Sequence, residues 1–135
     1  MKVLVTGDRW WTNLDRTITI LNKLPAGTII VHGACRGADL MCAAAAATLG
    51  LSTRAYPADW NGFGQNRKAA GVVRNQKMLD CEHTAAEPID ICIAFHDNIA
   101  ASRGTRDMLN RVIKANVPAL LVTSCSKRFI TEQLA

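Results

Sequence analysis

The chain has 135 residues, 49% hydrophobic and 20% charged, with a formal net charge of +5 and a pI of about 9.2. That size and balance fit one soluble domain able to bury a core without disulfide or metal staples, and they exclude a spanning helix, since no window reaches the ~18 apolar residues that crossing a bilayer needs. The charge favours an anionic partner such as a nucleotide or nucleic acid, but the basic residues are spread along the chain and charge alone leaves the partner open.

Five cysteines (Cys35, Cys42, Cys81, Cys92, Cys125) form no CxxC pair, and their odd number reads as reduced thiols, so a cytoplasmic setting is expected. Residues 2–6 form a β-branched-rich run that stops at Gly7. Asp8-Arg9-Trp10-Trp11 then stands where the first strand of an α/β sheet delivers its loop, and ligands of such sheets gather at those carboxyl ends. Arg9 is a candidate for a phosphate and a tryptophan for stacking on a base; the alternative is a solvated arginine with both rings covering the core edge. Thr12 or Asn13 caps a helix through Leu14, Ile18, Leu21 and Leu24, and Pro25-Ala26-Gly27 turns the chain.

Residues 28–49 read as strand, tight turn and helix, and the rest of the chain is organised around them. Gly33 and Gly37 flank Arg36, and Asp39 stands in the first helical turn, so backbone N–H groups, a helix N-terminus and a cation converge on a natural anion site. The plainer alternative is that the glycines only let the chain reverse and the helix pack closely. Gly50 stops the helix, and residues 52–56 form a more polar strand suited to an edge. Residues 57–64 make a loop in which Asp59 lies beside Trp60 and Phe63, either a binding loop or a surface loop pinned by its rings.

Residues 66–81 are compatible with a helix in which Lys68, Gly71, Arg74 or Asn75, and Met78 share an edge. Arg74-Asn75 sits among apolar neighbours, where an unpartnered charge is costly, so a ligand contact is expected there. A polar connector leads to residues 90–96, an apolar run typical of a parallel strand covered on both faces. Gly104-Thr105 opens a second glycine-led helix with Met108, Leu109, Val112 and Ile113 as its core stripe, Asn116 ends it, and residues 118–123 form the last strand. A short helix is the expectation for the tail. His32 and His96 lack metal-like partner spacing and read as structural; no metal and no cofactor is expected.

The ordered set GxR at Gly7 and Arg9, HGACRGAD from His32 to Asp39, PADW from Pro57 to Trp60, KAAGVVRNQKM from Lys68 to Met78, and GT at Gly104-Thr105 resembles the YspA-related branch of the SLOG superfamily over almost the entire chain. The resemblance implies an α/β fold: a single Rossmann-like three-layer domain over residues 1–135 with a mainly parallel sheet of about five strands. It is similar to the Lonely-guy phosphoribohydrolases and the DNA-processing protein DprA. It implies a pocket at the C-terminal sheet edge for a nucleotide or ADP-ribose-like ligand, lined by Gly7, Arg9, Gly33, Arg36, Gly37, Asp39, Asp59, Trp60, Arg74, Asn75, Gly104 and Thr105, in a homo-oligomer.

Catalysis carries over less well. The Lonely-guy enzymes pair an arginine in an RKxxM-like segment with a glutamate in PGGxGTxxE. Here Arg74 and Met78 fit, but SRGTRDM puts Met108 where the glutamate stands, and Asp107, one position earlier, points roughly 100° away on a helix. A binding module for a nucleotide-derived small molecule, sensing or sequestering it, is the leading expectation. The alternative is a nucleoside or nucleotide N-glycosidase in which Arg74 orients the substrate and Asp39 or Asp59 supplies the carboxylate. A third reading is single-stranded nucleic-acid binding through Arg9, Arg36, Arg67, Lys68 and Arg103, with Trp10 or Trp11 stacking on bases. The leading reading requires Arg36, Arg74 and Thr105 around one pocket.

Overall fold

In the computed structural model, residues 1–61 and 67–135 are described. Strand β1 (Lys2–Gly7) leads to helix α1 (Leu14–Leu21), β2 (Ile29–His32), α2 (Ala38–Leu49), β3 (Ser52–Ala55), α3 (Arg67–Glu82), β4 (Ile91–Phe95), a short 3-10 turn (Ile99–Ala101), α4 (Gly104–Lys114), β5 (Ala119–Val122) and β6 (Lys127–Ile130). The strands make one six-stranded sheet in the order β3-β2-β1-β4-β5-β6. All neighbours are parallel except β6, which runs antiparallel to β5.

The order explains the layers. The chain steps outward from β1 to β3 and returns to β4 beside β1, so right-handed crossovers put α1 and α2 on one face and α3 and α4 on the other. Val3, Val5, Ile30 and Phe95 pack under α1 and α2 with Ala38, Cys42 and Ala46. Leu4, Val31, Cys92 and Ala94 face the other way, against Met78, Met108, Leu109 and Val112. Successive residues of one strand thus feed opposite cores, which is why these runs are continuously apolar. The reversal between β1 and β4 opens a crevice at the carboxyl ends, where ligands of such sheets lie. The architecture is Rossmann-like α/β.

Local chemistry sets the element ends. Asn13 is the N-cap of α1, its side chain accepting from the Arg16 N–H at 3.0 Å. Gly50 ends α2 at φ 73°, and Asn116 follows α4 at φ 62°. Helix α1 ends at Leu21, one turn short of Leu24. The tail carries a sixth strand where a short helix was expected: Lys127–Ile130 folds back on β5 through a turn in which Thr123 and Ser126 bond each other. The edge that β5 offers and the burial of Ile130 at the end of the segment outweigh local helical preference there. All five cysteines are free. No described helix is long and apolar enough to cross a membrane.

Candidate functional site

The loop from β2 to α2 is tied back on itself by Asp39. Its Oδ2 accepts the Gly33 N–H at 3.0 Å and the Cys35 N–H at 3.3 Å, while Ala34 adopts φ 57°. Burial pushes this carboxyl up to about 6, against the pull of the Cys35 N–H, the Arg74 charge and the Gly33 N–H. His32 Nδ1 accepts the Ala34 N–H at 3.0 Å, and burial with the nearby Arg74 charge holds this imidazole below its ordinary value. His32 is therefore a neutral acceptor within the loop.

Arg74 reaches the same loop from the α3 side of the sheet. Its Nη1 donates to the Gly33 carbonyl and, at 3.4 Å, to the Tyr56 carbonyl; Nη1 and Nη2 lie 3.6 and 3.5 Å from Cys35 Sγ. Its Nε donates to Asn75 Oδ1 at 3.0 Å. Asn75 is buried and passes the chain on, donating from Nδ2 to Asp107 Oδ2 at 2.9 Å. Arg111 Nε also donates to Asp107 at 2.9 Å, and its Nη1 donates to Gln76 Oε1 at 2.6 Å. A continuous polar chain thus runs from the end of β2 across α3 to the first turns of α4.

The glycines serve close approach. A Cβ on Gly33 would lie 2.6 Å from Arg74 Cζ and 3.0 Å from Asp39 Oδ2. One on Gly7 would lie 2.6 Å from Ala38 Cβ, and one on Gly37, at φ 80°, would run into the backbone of Asp8 and Arg9. The first α2 N–H, from Ala38, donates to the Asp8 carbonyl at 3.0 Å. Gly104 has open space where a side chain would stand. Thr105 is buried, and its N–H donates to Ser102 Oγ at 3.1 Å, so α4 is capped from within.

On the α1 and α2 side the Arg36 guanidinium lies 4.3 Å from the Trp10 ring centroid. The two tryptophans divide the roles weighed for them. Trp11 is buried against Phe95, its Nε1 donating to Thr17 Oγ1 at 2.9 Å, whereas Trp10 is 67% exposed. Arg9 is exposed beside it. Trp60 follows exposed Asp59 and packs near Gly71 of α3. Gly62, Phe63, Gly64 and Asn66 lie outside the described residues.

The residues expected around one pocket therefore fall into two sets. Gly33, Asp39, Arg74 and Asn75 join one polar chain, to which Asp107 connects the α4 turn holding Gly104 and Thr105. Arg9, Arg36 and Gly37 gather at Trp10. Arg36 and Arg74 flank the same loop from opposite faces of the sheet and do not meet, because α2 and α3 pack on opposite faces. Sequence reasoning set Asp107 aside as pointing away from the Met108 position; the structure turns it onto Asn75, and its i,i+4 pairing with Arg111 was the available signal. It missed a buried cluster in which Glu82 meets Lys2 Nζ at 3.1 Å, Arg54 Nη1 at 2.8 Å and the Tyr56 hydroxyl. Burial would raise the Glu82 carboxyl, but the hydrogen bonds from Tyr56, Lys2 and Arg54 outweigh it and hold it below its ordinary value.

Residues 1–63 match the family model described as the YspA, cpYpsA-related SLOG family. The chain is 32% identical over 128 residues to the Gene 61 protein of Mycobacterium phage D29, an alignment covering 88% of this chain and 94% of that protein. No solved structure matches the chain. The matched segment contains β1, β2 and the loop that Arg74 and Asp39 hold, and the phage relative extends the likeness over nearly the whole fold, so the chain belongs to the YspA, cpYpsA-related SLOG family.

Proposed function

We propose that this protein binds a nucleotide-derived small molecule, a nucleotide or an ADP-ribose-like compound, at the carboxyl edge of the sheet, through two sets of residues flanking the β2–α2 loop and not through the single pocket around Arg36, Arg74 and Thr105, and acts as a cytoplasmic, homo-oligomeric sensor or sequestering protein. One observation carries the reading. The half-buried Arg74 guanidinium meets only neutral acceptors, namely two carbonyls, a thiol and an amide oxygen. Among the described residues no ion pair reaches Arg74, Arg9 or Arg36. Arg74 on one side of the loop, with Asp39 near it but no ion pair formed, and Arg9 and Arg36 on the other side leave positive charge at the ligand edge of an α/β sheet, which suits a phosphate. Calorimetric titration with AMP and ADP-ribose is expected to give saturable heat and a raised melting temperature; no heat and no shift at millimolar ligand would sink the reading.

Asp107 favours a second reading, hydrolysis of an N-glycosidic bond. Asp39 is buried and its Oδ2 is occupied by two backbone N–H groups, whereas Asp107, its Oδ2 held by Asn75 and Arg111, is only part-buried and places a carboxylate one hydrogen bond from Asn75 and two from Arg74. Release of free base from AMP over time, abolished in Asp107→Asn, would support hydrolysis; no release leaves binding as the function.

A further inference from the structure

We infer that Trp10, backed by Arg36, is the platform on which the planar base of the ligand stacks, with Arg9 at its phosphate; this rests on the nucleotide-binding reading and names the part of the ligand that the α1 and α2 side recognises. A groove of about 440 Å³ lies between the N-terminal turns of these helices, lined by Arg9, Trp10, Leu14, Gly37, Leu40 and Met41. The groove is shallow and open, with an apolar wall and Arg9 as its charged group. The wall is exposed: Trp10 by 67%, Leu14 by 44% and Leu40 by 49%.

Trp10 is held there by its surroundings. Asp8 Oδ1 accepts the Trp10 N–H at 3.0 Å, and the Asp8 carbonyl accepts the N–H groups of Trp11 and Ala38 at 3.1 and 3.0 Å. With Trp11 anchored in the core beneath, the next ring along the chain is turned outward. Arg36 supports one indole face and leaves most of the ring open. The occupant follows from charge complementarity: Arg9 on the lining, Arg36 behind the indole and an aromatic wall match a molecule with an anionic end and a flat apolar end. A base-bearing nucleotide has both, and ribose 5-phosphate only the first.

The test is titration of the full chain with AMP, ribose 5-phosphate and adenosine. The wild type should bind AMP about fivefold or more tighter than ribose 5-phosphate, since stacking one base on an aromatic ring is worth ~1–3 kcal/mol. Trp10→Ala should lose that preference while keeping its affinity for ribose 5-phosphate, and Trp10→Phe should restore most of it, which guards against a folding defect in the alanine variant. Arg9→Ala should weaken AMP and ribose 5-phosphate alike and leave adenosine unchanged. If Trp10→Ala binds AMP as the wild type does, the platform is wrong while the nucleotide reading stands. If the wild type binds none of the three, both fall.

Discussion

Asp39 shows how one side chain can close a loop and make stability depend on pH. Its carboxyl titrates near 6 in the folded chain, against about 3.9 when unfolded. Raised in the fold, it contributes stability that is full below the unfolded value and lost as pH rises through 6; two units correspond to about 3 kcal/mol. Urea denaturation at intervals from pH 4 to 7 should show Asp39→Asn gaining on the wild type by roughly that amount, and parallel profiles would contradict the assignment. Gly37 and Gly50 make a second residue-scale contrast, since both have positive φ but only Gly37 has backbone where a Cβ would go. Gly50→Ala should cost about 1–2 kcal/mol, from the left-handed backbone alone. Gly37→Ala should cost about 3 kcal/mol or more, because the β1–α1 loop must also shift. Thermal melts of the pair separate the two contributions.

At the scale of elements, α3 links the two ends of the fold through polar groups on one helix. Arg74 and Asn75 meet the carboxyl edge, and Glu82, two turns on, meets Lys2 at the start of β1. Lys2 and Glu82 are 6% and 2% exposed, so Glu82→Gln leaves a buried ammonium with only the exposed Glu87 carboxylate at 3.8 Å as counter-charge and should cost ~3 kcal/mol. Arg54 is far more exposed, and Arg54→Ala should cost under ~1 kcal/mol. Because Glu82 is held below its ordinary value, its stabilisation is present above that value and is lost as pH falls, the opposite slope to Asp39. Denaturation of Glu82→Gln should therefore show a shallower loss of stability on acidification than the wild type.

Across the whole molecule, protection should follow strand order. β1 and β4 each bond a strand on both sides and are buried on both faces, while β3 and β6 are edges with mostly exposed side chains. Native-state hydrogen exchange should rank β1 and β4 amides slowest and those of β3 and β6 markedly faster. Uniform rates would mean that the sheet opens only as a unit.

The layered α/β architecture and nearly every helix and strand could be read from the sequence, because apolar periodicity, glycine stops and cap residues act over a few neighbours. The turn at residues 33–39 and the importance of Arg74-Asn75 were legible for the same reason. Which way side chains meet was not. Asp107 stands one residue from the position the family motif marks, yet its helix turns it onto Asn75 while Met108 enters the core. Trp10 and Trp11 are identical in the sequence, and only packing against Phe95 and Thr17 sends one inward. Arg36 belongs to the loop that follows β2, and Arg74 of α3 reaches the same loop, but the crossover of the chain delivers α2 and α3 to opposite faces of the sheet. Local propensity decides what each segment is; which residues become neighbours is decided when segments distant in the chain pack, and no short window contains that information.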